Sequence, residues 1–155
     1  MKLKLKPLLL LLMSLLALPP AALASPGTTA LEDLNGKKTT LQTDKNKLLV
    51  VFWATWCPDC KEKLRTTLPE LARRPDVSVL TINTDADAAR VRAYVEREKV
   101  AVPVLRDPNK ELRKELKVVA VPHWAVYLRR TAKNDWTLKD GGPAYDEARI
   151  QEALK

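Results

Sequence analysis

The sequence predicts an α/β domain in which strands and helices alternate around one core. Leu48 to Trp53 is a continuous apolar run of strand length, as expected for a strand buried on both faces of a sheet. Asp85 to Lys99 instead carries its apolar residues at helical spacing. Setting aside an export signal leaves about 130 residues, which is enough for one domain with its own core.

Each further element follows from its local pattern. Apolar residues alternate or run continuously in the predicted strands and recur every three or four positions in the predicted helices. In chain order we expect a hairpin over 31–41, a strand at 48–53, a helix at 57–72, a strand at 77–83, a helix at 85–99, a short strand at 102–105, a helix at 109–116, strands at 123–129 and 136–139, and a closing helix at 145–155.

Turn-forming and helix-breaking residues set the boundaries of these elements. The Asn-Gly pair at 35–36 is a typical turn for the first hairpin. Pro69 lacks an amide donor and should kink or end the helix that contains it. Thr84 and Asp85 are candidate caps of the next helix. The Gly-Gly-Pro run at 141–143 should break the chain before the closing helix.

The only two cysteines, Cys57 and Cys60, stand two residues apart directly behind the apolar strand. A strand that delivers a Cys-X-X-Cys to the start of a helix is a redox-site layout. On a first helical turn both sulfurs can close a small disulfide ring, and the first sulfur lies near unpaired N–H groups. Cys57 should therefore be the more acidic and more exposed thiol, the attacker, and Cys60 the resolver.

The residues between the cysteines fit a helix start, and two other interpretations of the cysteine pair are less favoured. Pro58 fits the first helical position, where no donor is lost, while Asp59 favours a helix start but disfavours a nearby thiolate. One histidine and two cysteines cannot supply a usual zinc ligand set, so no metal is expected. A structural disulfide across so short a loop would remove little entropy from the unfolded chain. Redox function is the favoured interpretation.

The N-terminus has the pattern of an export signal. Three lysines within residues 1–6 precede an apolar stretch at 8–18, and Ala22-Leu23-Ala24 is a small-x-small cleavage site. The apolar stretch is shorter than the roughly 20 residues of a spanning helix, so cleavage is favoured over an anchor. No cysteine lies near the cleavage site, which argues against a bacterial lipoprotein anchor. The predicted segments are a signal peptide at 1–24, a flexible leader at 25–30 and one domain at 31–155.

Charge and cysteine usage narrow the class of partner. Removing the three lysines of the signal lowers the formal net charge from +8 to +5, and the remaining basic residues are interspersed with acidic ones. That pattern is typical of solvated helix faces, so no nucleic-acid partner is expected. An exported chain with its two cysteines in one reactive motif fits an enzyme of the disulfide system rather than a stapled scaffold.

Five motifs along the chain are those of one known family. They are the string Phe-Trp-Ala-Thr-Trp-Cys-Pro-Asp-Cys at 52–60, the Asn-Gly-Lys turn at 35–37, the strand end Val-Pro-Val-Leu-Arg-Asp at 102–107, the Val-Pro step at 121–122 and the Gly-Gly-Pro run at 141–143. Together they resemble the TlpA/ResA group of extracytoplasmic thioredoxin-fold oxidoreductases. The resemblance implies a thioredoxin-like fold, with a central mixed sheet, helices on both faces and an N-terminal hairpin.

The resemblance also implies what surrounds the two cysteines. Pro122 would be a cis-proline facing them, and Val121 would lend its backbone to bind a partner's chain as an added strand. From the residues alone, Val-Pro before an apolar strand permits a cis bond and suits an extended approach. Trp53 would pack under the motif, and Trp56 would shape an exposed apolar surface for polypeptide partners.

The chain departs from the family at its acidic positions. Val51 stands where thioredoxin has a buried aspartate, and Lys63 stands where ResA-like members carry a glutamate. Glu62 is the nearest replacement, although it fits a solvated face better. His123 follows the expected cis-proline and fits a packed ring better than a pH-responsive group beside the disulfide. Glu62, His123 and Asp59 are therefore candidate modulators only.

The favoured function is an exported, periplasmic-type bacterial dithiol–disulfide oxidoreductase that acts on protein substrates. The resemblance implies reductant duty, for example in cytochrome c maturation or in keeping a metallochaperone reduced, with electrons from a membrane thiol-transfer protein. We expect a monomer, no membrane span after signal cleavage, and no cofactor beyond the Cys57–Cys60 disulfide.

Two alternative functions are also compatible with the sequence. A thiol peroxidase shares the fold, but a peroxidatic cysteine would be expected in a different surrounding motif. A redox-inert binding module or copper(I) chaperone could use the two sulfurs as soft ligands. The mature chain has no methionine cluster, which weighs against the chaperone.

Overall fold

Strands and helices alternate along the chain in the computed structural model, which describes residues 26–41, 43–131 and 135–155. The strands are β1 (Leu31–Glu32), β2 (Lys38–Thr39), β3 (Lys47–Trp53), β4 (Val77–Asn83), β5 (Val104–Arg106), β6 (His123–Arg129) and β7 (Trp136–Pro143). The helices are α1 (Pro58–Arg65), α2 (Thr67–Ala72), α3 (Ala88–Glu98), α4 (Glu111–Glu115) and α5 (Glu147–Ala153). The α/β class and the N-terminal hairpin are confirmed.

The predicted signal peptide at 1–24 lies outside the described residues. Of the predicted leader, residues 26–29 form turns and a bend, and the side chain of Thr29 is buried. Among the helices of the described ranges, none is long and apolar enough to cross a membrane.

The strands form one mixed seven-stranded sheet in the order β2-β1-β5-β4-β3-β6-β7. β3 pairs in parallel with β4 from Lys47 opposite Val77 to Trp53 opposite Asn83, and it pairs antiparallel with β6 on its other side. Because β3 and β4 are parallel and in register, their carboxyl ends meet at the same edge of the sheet. The two cysteines follow β3 directly at that edge.

The side chains of β3 alternate between two apolar clusters, one on each face of the sheet. Residues 49, 51 and 53 belong to the disulfide-side cluster, which contains both cysteines and apolar residues of α1, α2, α3 and α5. Residues 48, 50 and 52 belong to the α4-side cluster, which contains Leu112 of α4. Helices therefore cover both faces, and this explains why the β3 sequence is continuously apolar.

Two lysines hold the amino end of β3. The Nζ atom of Lys47 lies 3.0 Å from a carboxylate oxygen of Asp76, in the loop before β4. The Nζ atom of Lys45 donates to three carbonyl oxygens at 3.3, 2.7 and 2.7 Å, those of Ala72, Arg74 and Val77. These bonds attach the start of the central strand to the end of α2 and the start of β4.

The helix predicted over 57–72 is divided at Thr66 and not at Pro69, so the predicted position of the break is wrong. At Thr66 the backbone leaves the helical region, and both its N–H and its hydroxyl donate to the Glu62 carbonyl, at 3.1 and 2.9 Å. Pro69 is the third residue of α2, where an amide would have no intrahelical acceptor. Proline is therefore tolerated there.

The other expected elements are found with their ends shifted by a few residues, apart from two corrections. Asp87 caps α3, because its carboxylate accepts from the N–H groups of the second and third helical residues at 2.9 and 3.2 Å. The expected caps, Thr84 and Asp85, bind elsewhere. The run at 141–143 does not break the chain but continues β7, where it pairs with β6. Tertiary pairing with β6 supplies the hydrogen bonds that keep these residues extended.

We predict that Gly141→Ala destabilises the fold. A Cβ atom at Gly141 would lie 2.8 Å from the carbonyl oxygen of Trp124, a backbone atom that cannot swing away. The free energy of unfolding should fall by about 1–3 kcal/mol in urea denaturation. Gly142→Ala is the matched control, since its nearest contact is the flexible Arg149 side chain at 3.5 Å. A Gly142→Ala loss equal to that of Gly141→Ala would contradict the steric argument.

Candidate functional site

Cys57 and Cys60 form a disulfide at the start of α1, with an S–S distance of 2.00 Å and Cα atoms 5.3 Å apart. Cys57 is the N-cap of the helix and Pro58 is its first residue. The Cys57 Sγ atom accepts a hydrogen bond from the Cys60 amide at 3.2 Å. The first sulfur therefore lies at the unpaired N–H groups of the helix, as the spacing predicts.

Both cysteines are buried in this disulfide form, with 3% of Cys57 and 2% of Cys60 exposed. The expected greater exposure of Cys57 is therefore not found. Both sulfurs belong to one small ring that packs into the disulfide-side cluster, which equalises their exposure. The exposed residues of the motif are its neighbours Trp56, Pro58 and Asp59.

The two tryptophans beside the motif differ in environment. Trp53 ends β3, is fully buried in the disulfide-side cluster, and has its ring centroid 5.5 Å from that of Tyr94 on α3. Trp56 directly precedes Cys57 and is 63% exposed. Trp53 thus forms part of the support of the motif, and Trp56 is a large apolar surface next to it.

The end of β4 holds the loop that leads to Cys57. The Trp53 carbonyl accepts hydrogen bonds from the Thr84 amide at 2.9 Å and from the Thr84 hydroxyl at 3.2 Å. The Thr55 amide donates to the Asp85 carboxylate at 2.8 Å. Sequence reasoning assigned Thr84 and Asp85 only to helix capping. The sequence does show a polar Asn-Thr-Asp run at 83–85, at the end of the predicted strand. The structure shows that this strand, β4, lies beside β3.

The loop before β6 lies against the same core as the disulfide. The Val121–Pro122 peptide bond is cis, the isomer that the family resemblance implies. The half-buried Val121 side chain packs against the disulfide-side cluster and also against the α4-side cluster. Two residues earlier, Val119 is 86% exposed. Val121 therefore packs on the same apolar cluster that contains the cysteines, and the exposed Val119 lies two residues before it.

His123 lies on the opposite face of the sheet from the disulfide. Its neighbour Trp124 belongs to the disulfide-side cluster, and successive strand residues point to opposite faces. The His123 ring meets that of Phe52 edge-on, with centroids 6.3 Å apart, and is 6% exposed. Burial lowers the pKa of His123. The structure favours the packed-ring interpretation over a modulator beside the cysteines.

At positions 51 and 63, where the family resemblance implies acidic residues, the side chains of this chain carry no carboxylate. Val51 is buried in the disulfide-side cluster. The ammonium of Lys63 lies 5.4 Å from the centre of the Tyr145 ring and 3.4 Å from a carboxylate oxygen of Glu62. Glu62 itself is exposed, as expected for a solvated helix face. Asp59 is also exposed, on the first turn of α1.

Comparisons with known proteins agree with this geometry. The profile of the Redoxin family matches residues 19–132. The chain is 24% identical over 104 residues to sporulation thiol-disulfide oxidoreductase A of Bacillus subtilis (strain 168), a match that covers 64% of this chain and 63% of that protein. It is 27% identical over 97 residues to thiol-disulfide oxidoreductase ResA of Oceanobacillus iheyensis, covering 61% of this chain and 46% of ResA. The matches thus span roughly half to three fifths of these relatives.

The likeness to a solved structure shows which fold the chain has. The crystal structure of StoA from Bacillus subtilis superimposes with a TM-score of 0.62 at 19% identity, covering 85% of this chain and 99% of that one. The fold is thioredoxin-like, with the mixed sheet described above.

We predict that His123 makes stability depend on pH in a defined window. The folded-state pKa is lowered, so the unfolded chain binds the proton more readily, and stability is lost as pH falls below the unfolded value near 6.5. Urea denaturation at pH 7.5 and 5.5 should show a larger loss for the wild type than for His123→Gln.

The neighbouring Glu115 requires a control, because it lines the same cavity and burial raises its pKa, which acts in the opposite direction. Repeating the comparison in a Glu115→Gln background removes that contribution. Equal pH dependence with and without His123 in this background would contradict a buried neutral imidazole.

Proposed function

The chain belongs to the Redoxin family, and we propose that it is an exported thiol–disulfide oxidoreductase that reduces disulfides of protein partners. The observation that carries the proposal is the Cys57–Cys60 disulfide at the N-terminus of α1, directly behind the central strand. Two relatives of the chain are named thiol-disulfide oxidoreductases, which supports the same chemistry. The disulfide is the only redox group that the proposal requires.

The reaction starts from the dithiol form of the motif. The Cys57 thiolate attacks one sulfur of a substrate disulfide, so that a mixed disulfide forms and the other substrate sulfur leaves as a thiolate and takes up a proton. The Cys60 thiolate then attacks Cys57 Sγ and releases the second substrate sulfur, which is also protonated. The substrate gains two electrons and two protons. The motif ends as the disulfide present in the structure.

The local geometry supports Cys57 as the attacking sulfur. Its Sγ atom already accepts the Cys60 amide hydrogen bond, and the positive end of the helix dipole favours an anion at this place. Cys60 lies one turn inside the helix and faces the core. A thiolate is therefore stabilised more at Cys57 than at Cys60, which fits the order of attack and resolution.

An exposed apolar side chain next to the motif, that of Trp56, suits a polypeptide substrate. In the described part of the chain, three large apolar side chains are exposed to solvent, namely Trp56, Val119 and Leu138. Trp56 adjoins Cys57, and Val119 lies two residues from Val121, whose side chain packs on the disulfide-side cluster. Such an apolar surface around a reactive group is typical of a protein-binding site. The backbone at Val121 would receive the partner's chain as an added strand.

Export and electron supply complete the proposal. The signal pattern at residues 1–24 supports delivery to the periplasm or another extracytoplasmic compartment, where disulfides form. The mature protein would act as a monomer and would be re-reduced by a membrane protein of the thiol-transfer type. Cytochrome c maturation and metallochaperone reduction are the pathways that the family resemblance suggests for its substrates.

We predict that the wild type catalyses insulin reduction with a dithiol supply and that Cys57→Ser falls to the uncatalysed rate. Cys60→Ser should keep the attack but lose resolution, so it should accumulate a mixed disulfide visible on a non-reducing gel. Cys57→Ser is its matched control, because it should trap no partner.

Two results would contradict this function. One is a wild type without activity at any dithiol concentration. The other is an equilibrium with glutathione that gives the Cys57–Cys60 pair a reduction potential of about −120 mV, as for a strong oxidant, rather than about −270 mV, as for a reductant.

We predict that Trp56→Ala slows the reduction of a protein disulfide by about tenfold, as for a moderate interface hot spot. Reduction of a small linear disulfide such as bis(2-hydroxyethyl) disulfide should change little, because such a substrate makes no use of the flanking surface. Leu138→Ala is the control, as Leu138 is also exposed, at 47%, but lies on the edge strand β7. Equal slowing by the two variants would argue against docking at Trp56.

A further inference from the structure

We propose that Asp85 is a positioning residue for Cys57. Its carboxylate lies beyond the end of β4 and holds the loop that presents the motif to a substrate. This inference deepens the proposed function and rests on it, because only a reactive Cys57 requires such positioning.

The Asp85 carboxylate is oriented by a small network. One of its oxygens, Oδ2, accepts hydrogen bonds from the Thr55 amide at 2.8 Å and from the Asn83 side-chain amide at 3.0 Å. The side-chain oxygen of Asn83, Oδ1, in turn accepts from the Asp85 backbone amide at 2.9 Å. Asn83 is buried at the last position of β4. The Asp85 carboxylate is thus bonded both to Asn83, the last residue of β4, and to the loop that leads to Cys57.

The loop is held at alternate residues. Thr84 binds the carbonyl of Trp53, and Asp85 binds the amide of Thr55, so both ends of this short segment are attached to β4. The Cys57 amide then donates to the Ala54 carbonyl at 3.2 Å, which closes the turn into α1. A shift of Thr55 therefore moves Cys57, two residues further on.

The hydrogen bond from the Thr55 amide to the Asp85 carboxylate would be costly to lose. Thr55 is buried, so its amide has little access to water and would be left without an acceptor if the carboxylate were removed. A hydrogen bond to an ionised acceptor is also stronger than one between neutral groups. The loop before Cys57 is therefore held by a side chain that lies just beyond the neighbouring strand β4, and not only by its own turn.

Helix capping does not account for Asp85. The N-cap of α3 is Asp87, whose carboxylate accepts from the amides of Ala89 and Arg90. Asp85 and Asp87 are thus two aspartates, two residues apart, that both accept backbone N–H groups. One binds the loop of the motif and the other binds a helix, so Asp87 provides a matched control.

Charge and position can be separated by an amide. Asp85→Asn keeps an oxygen that can accept the Thr55 amide but removes the charge, whereas Asp85→Ala removes both. The charged side chains that line the cavity beside Asp85 are Arg106, Asp107, Lys110 and Arg113. They are unchanged in both variants, so any difference between Asn and Ala reports on the hydrogen bond.

The experiment measures the reactivity of Cys57 directly. In a Cys60→Ser background Cys57 is the single thiol, and its alkylation rate with iodoacetamide at pH 7 is followed for wild type, Asp85→Ala, Asp85→Asn and Asp87→Ala. We expect Asp85→Ala to slow alkylation about tenfold, because a Cys57 sulfur that moves away from the N–H groups at the start of α1 loses stabilisation of its reactive thiolate. Asp85→Asn should recover most of the rate, and Asp87→Ala should leave it unchanged.

A second readout reports on the loop itself. Hydrogen exchange of the Thr55 amide should be at least about tenfold faster in Asp85→Ala than in Asp85→Asn or Asp87→Ala, because local opening no longer breaks a hydrogen bond. Neither measurement needs a protein substrate, so failure of insulin reduction would not affect them.

Three results would overturn the positioning role. One is an Asp85→Ala rate equal to that of the wild type. Another is an Asp85→Asn rate as slow as that of Asp85→Ala. The last is equal slowing by Asp85→Ala and Asp87→Ala, which would show a general loss of stability.

Discussion

The burial of β3 on both faces is the constraint on which the rest of the structure depends. Its residues alternate between the disulfide-side and α4-side clusters, so neither face can turn to solvent. The strand is paired along its length with β4 and β6. At its amino end Lys45 and Lys47 attach it to α2 and β4. A cysteine pair placed directly behind such a strand has a fixed position in the fold.

The site obtains its chemistry from local backbone geometry and its accuracy from neighbouring strands. The start of α1 provides the N–H group that faces the Cys57 sulfur. The end of β4 holds the preceding loop through Thr84 and Asp85. The side chain of Val121, in the loop before β6, packs on the same cluster as the cysteines. Val51 and Lys63 stand where the family resemblance implies acidic residues, so neither position supplies a carboxylate to the site.

The face of the sheet to which a side chain points decides what it can do. His123 is one residue from the cis-proline, yet its ring contacts Phe52 on the face away from the disulfide. Trp53 and Trp56 are three residues apart, but one is part of the core and the other is surface. Closeness in sequence to the motif was therefore a poor guide to a role in it, whereas Asp85, 25 residues after Cys60, contacts its loop.

The sequence by itself determined the α/β class, most of the strands and helices, and the redox pair, because apolar periodicity and the Cys-X-X-Cys spacing are local properties. It placed the helix break at Pro69, the cap of α3 at Thr84 or Asp85, and a chain break at 141–143. The structure decided these points differently, and tertiary contacts account for the run at 141–143 and for the role of Asp85. A proline is harmless in a first turn, as α2 shows. Two glycines remain extended when β6 supplies their partners, and an aspartate binds Thr55 rather than a helix when β4 ends beside β3. The pairing of β7 with β6 and the bond between Asp85 and Thr55 join residues distant in sequence, and no local pattern encodes them. The break at Thr66 and the cap at Asp87 instead rest on hydrogen bonds that span at most four residues, among several residues that could have formed them.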